Sequence, residues 1–236
     1  MEGNPYIGEF LGTMMLIILG DGVVANVVLQ KSKGYAGGWI VITAGWAFAV
    51  MAGVATAILA GSPWAFINPA VALAFLIKGS ITVDQFTLAT ISEILGAFVG
   101  AIIVFIAYYD HFKATEDKTL KLAVFSTIPA IRNIPVNIVT EIIGTFVLVT
   151  GVFALIQPAI VKLVPPAVSV AFLVWGIGLS LGGPTGYAIN PARDLGPRLA
   201  HAVLPIPGKG SSDWSYGLVV PILGPFIGAA IAALIF

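Results

Sequence analysis

Six apolar runs, at 7–29, 39–61, 86–109, 137–158, 165–182 and 216–236, are each close to the length of about 20 residues that one bilayer crossing requires. A chain dominated by such runs must satisfy its backbone donors and acceptors within itself, so only packed helices or a closed barrel are open to it. Helix-length runs select the helices. With 58% hydrophobic and 9% charged residues, against about 25% charged in soluble domains, the chain reads as an all-α polytopic membrane protein with no soluble domain. Formal net charge is zero, so nothing points to a nucleic-acid partner or an acidic substrate surface. The sequence has no cysteine, which excludes disulfides. The first run carries Glu9 and Asp21 and lacks a basic leader and a small-residue cleavage site; it reads as a retained helix. His111 and His201 fall between the runs as solvated loop residues with no second ligand at metal spacing, and no metal or cofactor is implied.

Two further apolar segments are too short to cross. One follows Asn68-Pro69-Ala70 and the other follows Asn190-Pro191-Ala192. From Asn68 to Lys78 a helix rises roughly 15 Å, half of the hydrocarbon core, and Asn190 to Ala200 has the same property. Both read as half-helices with Pro at the first turn, where its missing amide costs nothing. Two copies of one tripeptide arise by chance on the order of once in a thousand chains of this length. The device is duplicated.

The duplication extends beyond the tripeptide. Glu9-Phe10-Leu11-Gly12-Thr13 is echoed by Glu141-Ile142-Ile143-Gly144-Thr145, and Ile94-Leu95-Gly96 with Gly100 by Ile222-Leu223-Gly224 with Gly228. The chain thus divides into a first repeat at 1–110, a connecting loop at 111–135, expected to be solvated, and a second repeat at 136–236, all in one transmembrane domain of 1–236. Each repeat holds three full spans, an odd number, so the second inserts upside down relative to the first. The half-helices enter from opposite faces, and their N-termini meet near the midplane.

Helix N-termini carry partial positive charge and free amide donors. Two of them facing each other oppose cations, while the Asn68 and Asn190 amides can donate to a passing oxygen. The alternative for each Asn is simple capping, which is compatible with conduction. Arg193 would cost at least about 2.5 to 3.5 kcal/mol facing lipid at the membrane centre, so it is expected to face a wet cavity, where its fork can bind adjacent hydroxyls. Pairing with Asp194 is the competing reading. Glu9 and Glu141 are expected to be structural buried acids that accept hydrogen bonds from the backbone leading into each half-helix. Asp21 and Glu93 have no echo in the other repeat and are expected to find partners inside the protein or at an interface.

These motifs and their order resemble the major intrinsic protein family, within it the aquaglyceroporins or glycerol facilitators, over essentially the whole chain. The resemblance implies an aquaporin-like fold, six transmembrane helices and two re-entrant half-helices, and a selectivity filter of Phe48, Gly178, Tyr187 and Arg193. Trp is commoner at the first of these positions, and Trp46 stands two residues away, so a two-residue shift of register is the alternative. A glycine at Gly178 implies room for a polyol. Asp194, Arg198, Pro221 and Ile222 resemble the polyol-conducting branch. The residue two before the first motif Asn is commonly His in the family and is Phe66 here.

What the resemblance implies is a passive channel for glycerol and other small neutral solutes, with water, rather than an enzyme. A water-selective channel and a neutral weak-acid (lactic acid) channel are alternatives, and a secondary transporter is the rival from another class. The resemblance also implies a homotetramer in the lipid bilayer of the bacterial plasma membrane, with both termini cytoplasmic. The basic residues run against that orientation. Only Lys78 and Lys162 would be inside, whereas Lys31, Lys33, Lys113, Lys118, Lys121, Arg132 and Lys209 would be outside, opposite to the usual bias.

Overall fold

The computed structural model describes residues 4–236, and every regular element among them is a helix. In chain order these are α1 (Pro5–Val28), α2 (Trp39–Leu59), α3 (Pro69–Ile77), α4 (Val83–Ala107), α5 (Tyr109–Ala114), α6 (Lys118–Phe125), α7 (Ile134–Leu155), α8 (Pro158–Val161), α9 (Pro166–Leu181), α10 (Pro191–Val203), α11 (Trp214–Gly217) and α12 (Val220–Ile235). Local chemistry sets many of the starts. The Asn4, Asn68, Asn133 and Asn190 side chains cap α1, α3, α7 and α10, each followed by Pro in the first turn. Thr82 and Gln85 close a capping box on α4, satisfying two otherwise orphaned donors.

Helices α1, α2, α4, α7 and the stretch Trp214–Ile235 are long and apolar enough to cross a membrane. The other crossing, α9, has only 16 residues, a rise of about 24 Å, and α8 leads into it. The first half-helix, α3, spans 9 residues and the second, α10, spans 13.

Within each repeat the first and last spans pack together, α1 on α4 and α7 on α12. Glycines permit this closeness. A Cβ on Gly96 would lie 2.2 Å from the Phe10 carbonyl oxygen, and one on Gly228 2.4 Å from that of Ile142, so the paired small residues of both repeats serve contacts inside the subunit. The half-helices are exchanged between the repeats: α10 packs on α4 and α3 on α12. Neither half-helix is supported by its own repeat alone.

The connecting loop departs from expectation. Instead of a solvated loop, 111–135 contributes most of α5 and all of α6, with Phe112, Val124 and Phe125 fully buried. Helix α6 packs against α1 and α10. The charged residues between Lys113 and Lys121 disguise an apolar run from Leu122 to Phe125 that has a face to bury.

Candidate conduction pathway

Each half-helix is preceded by non-helical chain whose conformation alternates. Ala65 and Ile67 have φ of 47° and 46°, and Tyr187 and Ile189 have φ of 40° and 41°. Left-handed backbone costs a non-glycine residue about 1–2 kcal/mol, so four such residues need specific support. It comes from the two buried acids. Glu9 accepts from the amides of Phe66 (3.1 Å) and Ile67 (2.7 Å) and from the Ser62 hydroxyl. Glu141 accepts from the amides of Ala188 (3.0 Å) and Ile189 (2.8 Å) and from the Thr185 hydroxyl (2.6 Å). With these amides turned outward to the acids, the pathway is left to carbonyls and side chains.

At the meeting point the asparagines bond across the repeats. Asn68 Nδ2 donates to the Ile189 carbonyl at 2.9 Å and Asn190 Nδ2 to the Ile67 carbonyl at 2.8 Å. Their Oδ1 atoms cap the half-helices, accepting from Ala70 (2.9 Å) and from Ala192 (3.0 Å) and Arg193 (3.2 Å). Each amide group has two N–H bonds, which leaves one on each residue for the cavity that both residues line. Pro69, Ala70, Pro191 and Ala192 are buried behind them in the first turns of α3 and α10.

Two cavities lie along this path. One, about 140 Å³, reaches from the asparagine pair toward the face bearing both termini; the other, about 150 Å³, opens toward the α5–α6 face. Trp46, Tyr187 and Arg193 line both cavities, so they form the neck between them. The Arg193 guanidinium lies 4.1 Å above the Trp46 ring and donates from Nη1 to the Phe125 carbonyl at 3.4 Å. The Tyr187 hydroxyl is buried without a hydrogen-bond partner among the described residues.

Two filter expectations need correction. Phe48 is 58% exposed and lines neither cavity, while Trp46 is 4% exposed and occupies the neck. Two residues along a helix turn the side chain by about 200°, so the two-residue shift puts Phe48 on the outer surface and Trp46 on the path. Gly178 does not line the cavities either. A Cβ there would come 2.9 Å from Tyr187 Cζ and 3.0 Å from Thr43 Cγ2. Its vacancy is filled by the Tyr187 ring rather than left to solute. Its carbonyl accepts from the Trp39 indole at 2.9 Å, and Trp39 meets the Tyr187 ring edge-on.

Asp194 does not pair with Arg193. It forms a fully buried ion pair with Arg198 at 2.7 Å and accepts from the Thr127 amide and hydroxyl. Arg198 also donates to the carbonyls of Thr127 (2.8 Å) and Ser212 (2.7 Å). The pair therefore braces the loops after α6 and before α11 behind the neck. Pro221 is buried in the first turn of α12 and Ile222 half-buried beside it; neither lines the cavities. His201 corrects a further expectation: α10 extends past Ala200, so His201 is fully buried, its Nδ1 2.9 Å from Ser212 Oγ. His111 is half-buried in α5, with Nδ1 3.0 Å from the Gln30 carbonyl oxygen.

The sequence left several partners unnamed. Glu93 accepts from the Asn68 amide at 3.0 Å, and counting from the shared Ile-Leu-Gly places it opposite Pro221 in the other repeat, so duplication offered no signal for it. Ser62 and Thr185 lie just ahead of their motifs, a weak signal. Asp21 is fully buried, and both its oxygens lack partners among the described residues.

The fold and the site together define a polytopic membrane protein with a path through the chain, narrowed at one neck and crossed at its middle by two half-helix N-termini. The chain belongs to the major intrinsic protein family, whose model matches residues 3–236. It is 56% identical over 233 residues to the "Probable glycerol uptake facilitator protein" of Thermotoga maritima, covering 99% of this chain and 98% of the relative. It is 44% identical over 233 residues to the "D/L-lactic acid transporter" of Lactiplantibacillus plantarum, covering 98% and 95%. Among solved structures it is similar to the aquaglyceroporin from Plasmodium falciparum, with a TM-score of 0.83, 25% identity, and coverage of 97% of this chain and 93% of that one.

Proposed function

We propose that this protein is a passive channel for glycerol and related small neutral polyols, with water as a co-permeant. The observation that carries this reading is the neck, lined by two aromatic rings, Trp46 and Tyr187, and by the Arg193 guanidinium, which stacks on Trp46. A polyol has a C–H side and a hydroxyl side. The rings take the first and the guanidinium the second. Beyond the neck, backbone carbonyls and the spare Asn68 and Asn190 N–H bonds exchange for the solute's water partners. Cations meet Arg193 and then two helix N-termini, each worth about half a positive charge, which opposes ion conduction.

Stopped-flow measurement of water, glycerol and larger polyols in proteoliposomes tests the reading. Glycerol entry should exceed that of protein-free vesicles, rise linearly with concentration and leave internal pH unchanged. Saturating flux coupled to proton movement would favour a secondary transporter instead, and glycerol entry no faster than in empty vesicles would refute the channel. The bilayer is that of a bacterial cell with both termini cytoplasmic, a placement supported by the family resemblance and checked by protease access to terminal tags. Assembly as a homotetramer with one pore per subunit rests on the same resemblance and is checked by cross-linking.

A second reading, conduction of undissociated lactic acid, is favoured by the 44% identity to the D/L-lactic acid transporter of Lactiplantibacillus plantarum. At the neck the Arg193 fork can donate to a carbonyl oxygen. Lumen acidification on adding lactic acid, faster than through empty vesicles, tests it.

A further inference from the structure

The two sides of the path differ in chemistry. Toward the α5–α6 face the wall includes Ser126 and Thr127 as well as the neck. Toward the face of the termini, the indole of Trp64 is the one polar side chain among the described residues that lines the cavity outside the neck and the asparagine pair. Aromatic rings form a continuous ladder there. Trp64 and Phe66 stack with centroids 5.7 Å apart and planes 5° from parallel; Phe66 meets Phe75 at 5.1 Å, and Phe75 meets Phe153 of the other repeat at 5.5 Å. Trp64, Phe66 and Phe75 line the cavity, with Leu148 and Val152 of α7 also in its wall.

We propose that Phe66 is a specificity-determining residue, and that this ladder is a second selective step that favours solutes with a carbon skeleton over water. This inference rests on the channel reading above. Its physical basis is the mismatch between the two sides of the passage. The Glu9-bound segment turns its amides away from the path and leaves acceptors to it, while the rings and aliphatic side chains provide no hydrogen-bond donor besides Trp64. A water molecule leaving the asparagine pair finds few replacement partners, and an apolar constriction of this kind resists wetting. A polyol keeps its C–H surface against the rings while its hydroxyls donate to the carbonyls. The neck therefore orients the solute, and the ladder penalises water at the other end of the same cavity.

Proteoliposome flux of water and glycerol through the full-length protein and the variants Phe66→His, Phe66→Leu and Val152→Thr tests the step, each normalised to incorporated protein. Phe66→His adds a donor at similar size and should raise the water-to-glycerol permeability ratio about three- to tenfold, the net worth of one added hydrogen bond. Val152→Thr preserves side-chain shape and adds a hydroxyl to the facing wall, so it should move the ratio the same way even if the histidine variant folds poorly. Phe66→Leu stays apolar and should leave the ratio within about twofold, less than one hydrogen bond's net worth. An unchanged ratio in both donor variants overturns the proposal, as does an equal rise in Phe66→Leu, which would make width the cause. Wild-type protein that fails to conduct glycerol would instead refute the channel reading itself.

Discussion

Glu141→Gln tests whether the acids hold the pathway's shape. Glu141 takes three donors, the amides of Ala188 and Ile189 and the Thr185 hydroxyl, and Gln fits the same volume while keeping one acceptor oxygen. The Ile189 amide, now facing an NH2 group, loses its partner, and an unmet buried donor costs about 1–3 kcal/mol. The loss of charge assistance on the remaining bonds adds about 1 kcal/mol. The total, about 2–4 kcal/mol, matches the strain of holding Tyr187 and Ile189 left-handed at about 1–2 kcal/mol each. With support and strain so close in size, the segment should leave its conducting shape, taking Tyr187 out of the neck and Asn190 away from the midplane. At a factor of ten for each 1.4 kcal/mol, glycerol flux per incorporated channel should fall about tenfold or more. Glu9→Gln should be milder, because the Asn68 amide keeps its separate bond to Glu93. Stopped-flow glycerol flux, with reconstituted protein quantified, decides this. Glu141→Gln flux within about twofold of wild type, under 0.5 kcal/mol on the same scale, or greater damage from Glu9→Gln, would refute the reasoning.

Gly178→Ala should lower glycerol flux about tenfold, since the added methyl group strikes Tyr187 and overpacking of this kind costs about 1–3 kcal/mol; unchanged flux would mean that solute does not pass the Tyr187 side of the neck. Asn190→Asp removes the donor to the Ile67 carbonyl and brings negative charge to the midplane, so a cation current should appear in planar bilayers where wild type shows none; an electrically silent variant would remove Asn190 from the barrier. Lys209 donates to the carbonyls of His201, Ala202 and Leu204, each at 2.7 Å, and so caps the C-terminal end of α10. Lys209→Met should lower the thermal unfolding midpoint in detergent by about 5 °C, from the loss of charged hydrogen bonds worth about 1.5–3 kcal/mol; an unshifted midpoint would show the cap to be unimportant for stability.

The architecture was legible because crossing a bilayer requires long apolar runs, and because Asn-Pro-Ala carries its own cap and first turn. Facing was not legible in the same way. In α2 both sides are apolar, one against the protein and the other at its surface, so periodicity does not distinguish Phe48 from Trp46. The distinction lies in packing: a Cβ on Gly20 would come 2.3 Å from the Trp46 ring, and a pairing of small and large residues across two helices leaves no trace in either run alone. Gly178 illustrates a related limit. The sequence indicates that a side chain is missing, but not that Tyr187 will fill its place. His201 was misplaced because the expected half-helix stops at Ala200, whereas α10 runs on to Val203 and carries His201 into the protein.

The repeats also separate barrier from selection. Features present in both copies are the buried acids, the left-handed pairs and the crossed asparagines, and together they shape the midplane. A barrier to ions there must act on traffic from either side, which a two-fold arrangement does without further parts. Selection requires the copies to differ. Counting from the motif asparagines sets Arg193 opposite Val71, Tyr187 opposite Ala65, and Phe66 opposite Ala188. The second copy thus supplies polar groups to the neck, where the first has small or aliphatic ones, and the first supplies an aromatic ring where the second has a methyl group. The polar neck and the aromatic ladder consequently lie on opposite sides of the symmetric barrier, so a solute must satisfy a hydroxyl test and a carbon-skeleton test in series. Exchanging Phe66 and Ala188 between the copies would put both tests on the neck side and leave the midplane unchanged, which should alter the water-to-glycerol ratio without admitting ions.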